Sequence, residues 1–463
     1  MALNKNVLAF ATSQFAFNMM NSVFTFYYVN IFLNRYEISQ NWFNVVQAIY
    51  MVWNALNDPL FAYFQDNSDL AIFQSRRYSI LYGAPVMAIC FLLPWFPWAD
   101  YQQNSMLVGI HLFASLFLYD ALYTLIGLAQ CALYTEMSHR HEDRLQLTKY
   151  GTIASLLGST SVFWCELFSN SLNSYGNFQI TCIIIAFISW LSLRYTGYNA
   201  RSEYDTVEKN MADPENVQTA DVLTNEKPQS LLKGYWEIIC QSNVLILVTV
   251  NFCTEFHMTY ERNFLKIFAD ELIPKDHISD LTRKLLYGSV FVLPQIVVLT
   301  SSKFVQKYGA YQLYRLAFYI KILSSLVMYT AGPTHTWVMA AFFLVDTALP
   351  FATSSYFSIL MADCVDYDMR LHRRKSPLSS MFFGMNALFI KPAQSLAPVF
   401  VVGILKSNGY GQIRADSDPS VADQLHGTMF QVLCMLPFVL GVVQSLLWTK
   451  YTLRDSHLTT QKS

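Results

Sequence analysis

The sequence carries little charge. Asp, Glu, Lys and Arg make up 14% of its 463 residues, whereas about 25% is usual in soluble domains. Hydrophobic residues reach 53% and the net charge is −1. The low charge argues against a soluble chain, and the lack of net positive charge removes the electrostatic basis for nucleic acid binding. The composition therefore predicts an integral membrane protein.

Motifs for metal binding and catalysis are also missing. The eight cysteines lie mostly in apolar runs, without the CxxC or Cys/His spacings that hold zinc and without a disulfide framework. No GxSxG, Walker A or HExxH motif and no Gly-rich nucleotide loop occurs, although these motifs carry much of known hydrolase and nucleotide chemistry. We therefore expect neither an enzyme nor a bound cofactor or metal.

Long apolar runs dominate the chain instead. A helix needs about 20 apolar residues to cross a bilayer, and a polar segment divides the apolar runs into two sets of six. The predicted fold is an all-α membrane protein with an N-terminal half (1–197), a cytoplasmic linker (198–235), a C-terminal half (236–452) and a tail (453–463). The twelve predicted spans are approximately 7–33, 42–64, 78–98, 105–136, 147–169, 178–197, 236–263, 285–303, 311–331, 336–363, 378–405 and 428–451.

Lys and Arg are unevenly distributed between the predicted loops. With the N-terminus in the cytoplasm, about 21 of them fall inside and about 8 outside. Cytoplasmic loops of membrane proteins carry such an excess. We therefore expect both termini in the cytoplasm, with the plasma membrane as the default location.

The second span contains polar residues that are costly in lipid. Asn54, Asn57 and Asp58 follow an i, i+3, i+4 spacing and share one helical face. Pro59 follows directly and favours a bend beside the charge. An intramembrane aspartate usually faces a protein interior or a water-filled path. This stretch predicts a site for a cation or a polar solute, and the alternative is a polar seam that only packs the helix.

Charged clusters recur at corresponding positions in the two halves. One cluster follows the fourth predicted span and the other follows the tenth. Such internal repeats are typical of transporters with a solute path between two halves. The clusters predict cytoplasmic gates that open and close salt bridges, and the alternative is solvated helix ends. The predicted gate residues in these clusters are Glu136, Arg144, Asp363, Asp366 and Arg373, and the charged residues Asp66, Arg76 and Arg77 around the loop between the second and third spans complete the predicted set.

Ionisable residues also occur within the spans of the second half. Glu255, His257 and Glu261 lie close together in the seventh span, which predicts an outer vestibule or a helix-end network. Asp346 and Lys321 lie in two other spans, and we expect them to pair with each other.

Four motifs resemble those of a known transporter family. They are Asn57-Asp58-Pro59-Leu60 with Asp66 and Arg76-Arg77, Tyr123-Thr124-Leu125 through Glu136 and Arg144, Met361 to Tyr367, and Ile390-Lys391-Pro392-Ala393. In this order they resemble the glycoside–pentoside–hexuronide:cation symporters, a branch of the major facilitator superfamily that includes the melibiose permease. The runs Trp53–Leu60 and Phe383–Pro398 further resemble a group of animal orphan members of the superfamily. The resemblance implies the major facilitator fold, with about twelve helices in two pseudo-symmetric halves.

The resemblance also implies where a coupling ion binds. Two acidic residues of the family's second helix correspond to Asp58 and to Asn54, which lacks the charge. The family's eleventh-helix lysine corresponds to Lys391 and a fourth-helix threonine to Thr124. The predicted site for a coupling H+ or Na+ therefore comprises these four residues and Asn57. The alternative for Asp58 and Lys391 is a permanent salt bridge.

The family's sugar-binding positions are altered. Its two acidic residues that hold sugar hydroxyls correspond to Gln14 and Gly127, and its helix-five arginine falls near Gly151. Asp120 is a further carboxylate within a span, and nearby aromatic side chains are candidates for stacking on a solute, although each is equally a packing candidate. The predicted solute-binding residues are Gln14, Asp120, Tyr123, Gly127, Tyr27, Trp53 and Tyr356.

These residues predict a secondary active transporter, a symporter, of a small polar solute. A sugar-like molecule is a candidate solute, and a proton or another cation is a candidate coupling ion. The alternative is a transporter-derived receptor or scaffold that no longer transports, which the changes at Gln14, Asn54, Gly127 and Gly151 motivate. We expect a monomer whose partners are the lipid bilayer and the solute.

Overall fold

The computed structural model describes residues 5–68, 70, 72–73, 75–99, 101, 105–169, 172–202, 230–274, 277–407 and 419–454. Every regular element among them is helical. A helix satisfies its backbone hydrogen bonds internally, which lipid requires of any spanning segment. The predicted all-α class is confirmed.

The helices of the first part of the chain follow the predicted spans with one exception. The fifth span is divided, because one helix ends at Ser159 and the next begins at Ser161. A π-helical segment, Ile31–Arg35, extends the first helix, and a 3-10 turn, Leu93–Trp95, extends the third. The helices are α1 Lys5–Asn30, α2 Gln40–Asn67, α3 Arg76–Leu92, α4 Ser105–Glu136, α5 His141–Ser159, α6 Ser161–Ser169 and α7 Tyr175–Asn199.

The second part begins within the predicted linker. Residues 203–229 of that linker lie outside the described residues, but its last residues form the start of a helix that meets the following one at a bend of 86°. The helices are α8 Leu231–Ile239, α9 Ser242–Leu272, α10 Asp280–Tyr308, α11 Ala310–Ala331, α12 Thr336–Leu371, α13 Ser379–Ser407 and α14 Pro419–Trp448.

Six of these helices are long and apolar enough to cross a membrane, within the part of the chain that is described. The number is seven if the bent pair α8–α9 counts as one span. α2, which carries the predicted coupling site, is not among the six.

The chain divides into two compact units. Unit 1 contains residues 1–238 and 365–387, and unit 2 contains residues 239–364 and 388–463. In unit 1, α1 packs on α5 and α7, α3 on α4 and α7, and α2 on α4. In unit 2, α14 packs on α9 and α11, and α10 packs on α11. The end of α12 and the start of α13 therefore belong with the N-terminal helices.

The α1–α5 packing depends on a glycine. A Cβ atom at Gly158 of α5 would collide with the backbone carbonyl of Phe15 in α1. Small residues allow helix backbones to approach closely in membranes, where the hydrophobic effect does not hold helices together. This close approach fixes the position of the α1 face that carries Gln14.

Candidate functional site

A buried polar network joins α2 to α4 in unit 1. The Asn57 amide of α2 donates to the Asp120 carboxylate and to Thr124 Oγ1, the latter at 3.1 Å. Tyr50 Oη donates to Asp120 Oδ1 at 3.0 Å. Asn57, Asp120 and Thr124 are all buried, so these hydrogen bonds replace the water that the polar groups lose. The structure thus brings together three of the predicted coupling and solute residues.

Asp58 lies beside this network at a point where the α2 backbone contacts two other segments. Tyr235 Oη of α8 donates to the Pro59 carbonyl at 2.8 Å. At Gly384 of α13, an added Cβ would lie 3.1 Å from the Asp58 carbonyl. Asp58 is 9% exposed. Asn54 is half-buried one turn earlier, and Lys391 lies in unit 2, so the pairing of Asp58 with Lys391 stays a prediction.

The predicted sugar positions on α1 and α4 are occupied by protein contacts. An added Cβ at Gly127 would lie 2.9 Å from Phe17 Cζ, and Phe17 stacks on Tyr123 with ring centroids 4.0 Å apart. Gln14 Oε1 accepts a hydrogen bond from Ser155 Oγ at 3.3 Å. Aromatic packing therefore fills the space beside Gly127.

Three further predicted solute residues have other contact partners. Tyr27 is fully buried and donates to Glu166 Oε1 at 2.8 Å. Trp53 stacks on Phe117 with centroids 5.4 Å apart. Tyr356 lies in unit 2 and donates to the Val298 carbonyl at 2.7 Å.

Five of the predicted gate residues make buried or half-buried ion pairs in unit 1 and are together called the clasp (Asp66, Arg76, Glu136, Arg144 and Asp366). The Arg76 guanidinium binds Asp66 Oδ1 at 2.6 Å and Glu136 Oε1 at 3.0 Å. It also donates to the Gln65 carbonyl at 2.6 Å. A planar guanidinium with several donors suits such a multiple contact.

Asp66 also caps the start of α13. Its Oδ2 accepts from the Met381 amide at 2.7 Å, and its Oδ1 accepts from the Ser380 amide at 3.3 Å. The first amides of a helix have no intrahelical partner, and a negative charge stabilises them. The carboxylate is therefore satisfied on both oxygens.

The second part of the clasp joins α5 to the end of α12. Arg144 Nη2 donates to Asp366 Oδ2 at 2.7 Å, and the Arg144 side chain is only 2% exposed. His139 Nδ1 lies 2.9 Å from Asp366 Oδ1. These contacts hold residues 365–387 within unit 1.

Three predicted gate residues are outside the clasp. Arg77 lies over the Tyr78 ring at 4.9 Å, Arg373 is exposed, and Asp363 belongs to unit 2. The neighbouring Arg374 makes the ion pairs instead, with Asp368 Oδ2 at 2.7 Å and Glu237 Oε2 at 2.9 Å. Burial alone would lower the pKa of Arg374, but the hydrogen bonds to these carboxylates raise it above its ordinary value.

Unit 2 contains a buried cluster that the sequence predicted only in part. His257 Nε2 lies 3.0 Å from Asp346 Oδ2 and 3.7 Å from Glu261 Oε1. Lys321 Nζ, which was expected to pair with Asp346, donates to Gln444 Oε1 at 3.0 Å. The i, i+4 spacing of His257 and Glu261 was a visible signal, but it could not show that Asp346 joins them.

Comparisons with known proteins identify the family. The family model described as "MFS/sugar transport protein" matches residues 9–455. Transmembrane protein 180 of Gallus gallus is 28% identical, with 95% of this chain and 91% of that protein covered. The Mus musculus protein of that name is 26% identical, with coverages of 96% and 92%. The resemblances to the major facilitator superfamily and to its animal orphan members are therefore confirmed.

Solved structures agree with this assignment. A proton:xylose symporter matches with a TM-score of 0.61 at 14% identity, covering 97% of this chain and 95% of that one. The E. coli fucose:proton symporter matches with a TM-score of 0.62 at 12% identity, with coverages of 95% and 98%. At such identities the likeness shows the fold alone. The chain has the major facilitator fold and belongs to the MFS/sugar transport protein family.

Proposed function

We propose that this protein is a secondary active symporter of a small polar solute, coupled to a proton or Na+ at Asp58. The observation that carries the proposal is the buried network of Asn57, Asp120 and Thr124 directly beside Asp58. Insertion scales put the cost of a mid-membrane carboxylate at about 2.5–3.5 kcal/mol. Asp58 and Asp120 each carry this cost and lie in two helices that pack together. Packing alone does not require carboxylates at these positions, so a functional role accounts for them better.

Family and fold support a sugar-like solute. The family description includes sugar transport, and the xylose and fucose symporters share the fold. We propose that amide and phenol groups, from Gln14, Asn57 and Tyr123, contact the solute hydroxyls in place of the family's acidic pair. These three groups make fewer hydrogen bonds than the family's acidic pair, so we propose a solute with fewer hydroxyl groups than a hexose.

A second candidate function is a receptor or scaffold without transport. The observation that favours it is the contact of Phe17 with Gly127, where the related symporters carry an acidic residue. Aromatic packing at that position leaves less room for a solute between α1 and α4.

Thermal unfolding of the purified protein tests the coupling proposal. The melting temperature is measured across pH, with and without Na+, for the wild type and for Asp58→Asn. Glu142→Gln serves as a surface control, because its side chain is 55% exposed. A ligand that binds only the folded state stabilises it by about 2.7 kcal/mol at 100 times its Kd. We expect the melting temperatures of the wild type and of Glu142→Gln to change with Na+ or with pH, and we expect Asp58→Asn to lose this response. Identical responses of all three proteins would reject coupling at Asp58.

Flux measurements separate the two candidate functions. In proteoliposomes with an imposed proton or Na+ gradient, a symporter accumulates a solute from a panel of pentoses, hexoses and polyols. The same solute raises the melting temperature. A scaffold shows neither effect for any member of the panel.

A further inference from the structure

Three ionisable side chains from two helices meet inside unit 2, and Lys321 of a third helix interacts electrostatically with two of them, Asp346 and Glu261. His257 and Glu261 come from α9, Asp346 from α12 and Lys321 from α11. They are 0%, 8%, 2% and 2% exposed, respectively. The ligating atoms of His257, Glu261 and Asp346 all lie within 4.8 Å of one another. The cluster is separate from the network around Asp58, which belongs to unit 1.

The carboxylates of this cluster are incompletely satisfied. Asp346 Oδ2 accepts from His257 Nε2, but Asp346 Oδ1 and Glu261 Oε1 are buried without a hydrogen-bond partner among the described residues. A carboxylate oxygen of Glu261 lies within 4.8 Å of a carboxylate oxygen of Asp346. Ionised carboxylates have only acceptor oxygens, so neither of the two can donate a hydrogen bond to the other.

Charge counting indicates which cation fits the cluster. With both carboxylates ionised, His257 neutral and Lys321 charged, the buried cluster has a net charge of −1. One monovalent cation neutralises it, whereas a divalent metal leaves an excess positive charge next to the Lys321 ammonium. A proton needs only two facing oxygens, and like-charged carboxylates in one site characteristically share one.

We propose that this cluster binds one exchangeable proton, carried by Glu261 and donated in a hydrogen bond to Asp346. Proton binding turns two unsatisfied acceptors into one O–H···O hydrogen bond between α9 and α12. Proton release restores repulsion between the two carboxylates and so favours separation of these helices. The use of this step in solute coupling rests on the proposed transport function, but the protonation itself does not.

The neighbouring titratable groups are consistent with a single proton. Of the side chains around the cluster, only His257 is of a type that ordinarily changes charge between about pH 5 and 8, and carboxyl groups ordinarily do so near pH 4. The others ordinarily keep one form in that range. They are Cys253, Tyr260 and Arg262 of α9, Lys321 of α11 and Cys434 of α14.

Infrared spectroscopy of the full chain in lipid nanodiscs tests the proposal, because a protonated carboxyl has its own C=O stretching band. We expect the wild type to show, relative to Glu261→Gln and to Asp346→Asn, one additional protonated carboxyl at neutral pH. Glu271→Gln, an exposed change on the same helix, should keep the band. Lys321→Met removes a positive neighbour, so its band should persist to higher pH than in the wild type.

Two further measurements keep the test decisive. Glu261→Asp keeps a carboxyl and should shift the band without abolishing it, which covers the case in which a neutral variant misfolds. Mn2+ and Zn2+ are then added to the wild type. Metal stabilisation that requires both Glu261 and Asp346 would overturn the proposal in favour of a metal site, as would the absence of the band in folded wild type from about pH 5 to 8. A failure to find flux leaves the spectra unaffected, so it bears only on the transport proposal.

Discussion

Asp66 in unit 1 and Asp346 in unit 2 are both buried aspartates, and their surroundings differ. Each Asp66 oxygen accepts at least one hydrogen bond, from Arg76 and from the first amides of α13. Asp346 has one oxygen on His257 and one without a partner among the described residues. The clasp is a site where the negative charge is required, whereas the unit 2 cluster has more negative charge than its neighbours satisfy. We therefore infer a structural role for the buried charge of Asp66, whereas the buried charge of Asp346 belongs to a site that takes up and releases a proton.

The largest expected effect comes from removing the central cation of the clasp. Arg76→Ala leaves Asp66 and Glu136 buried without their guanidinium, and breaking a buried pair in this way costs about 3–5 kcal/mol. Thermal unfolding in detergent should show a large decrease in melting temperature, and transport should be impaired, while membrane insertion, followed by fractionation, is retained. Arg140→Ala, at a side chain that is 75% exposed, should change stability by less than about 0.5 kcal/mol. Similar melting temperatures for the two variants would contradict the structural importance of the clasp.

The same substitution at the two aspartates tests the comparison directly. Asp66→Asn places an amide NH2 against donors, and we expect a loss of about 3 kcal/mol because buried donors are left without acceptors. Asp346→Asn keeps an oxygen for His257, and its amide can donate to Glu261 in place of the shared proton, so its stability should stay within about 1 kcal/mol of the wild type at neutral pH. Denaturant titration of both variants measures the difference. Equal losses would mean that the unit 2 cluster needs its charge as much as the clasp does.

Local sequence signals predicted the clasp better than they predicted the unit 2 cluster. Asp66 and Arg76 lie ten residues apart around one short loop, so a motif can specify their contact. Arg373 and Arg374 look equivalent in the sequence, but Arg373 has a positive φ of 50°, and the backbone turn leaves Arg374 to contact Asp368 and Glu237. His257 and Asp346 are 89 residues apart. Their contact depends on the packing of α9 and α12, which periodicity cannot supply.

The helices were predicted from apolar length, but their breaks were not. The run 147–169 contains the small and polar residues Gly158 to Ser161, where α5 ends and α6 begins, but apolar length alone does not show that they divide the span. The role of Gly127 was also hidden, because the sequence shows only the loss of an acid. The Phe17 ring that occupies the space beside it comes from α1, and such a contact between helices is a property of packing.

A smaller effect is expected where α13 approaches α2. At Gly384 an added Cβ would lie 2.6 Å from Ala62 Cβ, and overpacking of this kind costs about 1–3 kcal/mol. Gly384→Ala should therefore lower the melting temperature by displacing the start of α13, which Asp66 caps. Gly403→Ala is the matched control on the same helix, since no atom lies within 4 Å of its added Cβ. If both variants melted like the wild type, the stability of the clasp would not depend on the close approach of α13 to α2.

The smallest expected effect compares two adjacent arginines. Arg374→Ala removes ion pairs to Asp368 and Glu237 from a side chain that is only 14% exposed, and we expect a loss of about 1–2 kcal/mol, because a partly buried pair contributes more than the roughly 0–1 kcal/mol of an exposed one. Arg373→Ala removes an exposed charge and should change stability by less than about 0.5 kcal/mol. Both variants carry the same net charge, so a difference in their melting temperatures reports the contacts of Arg374 and excludes a general electrostatic effect. If Arg373→Ala were the more destabilising variant, the result would favour Arg373, the residue predicted from the sequence, over Arg374.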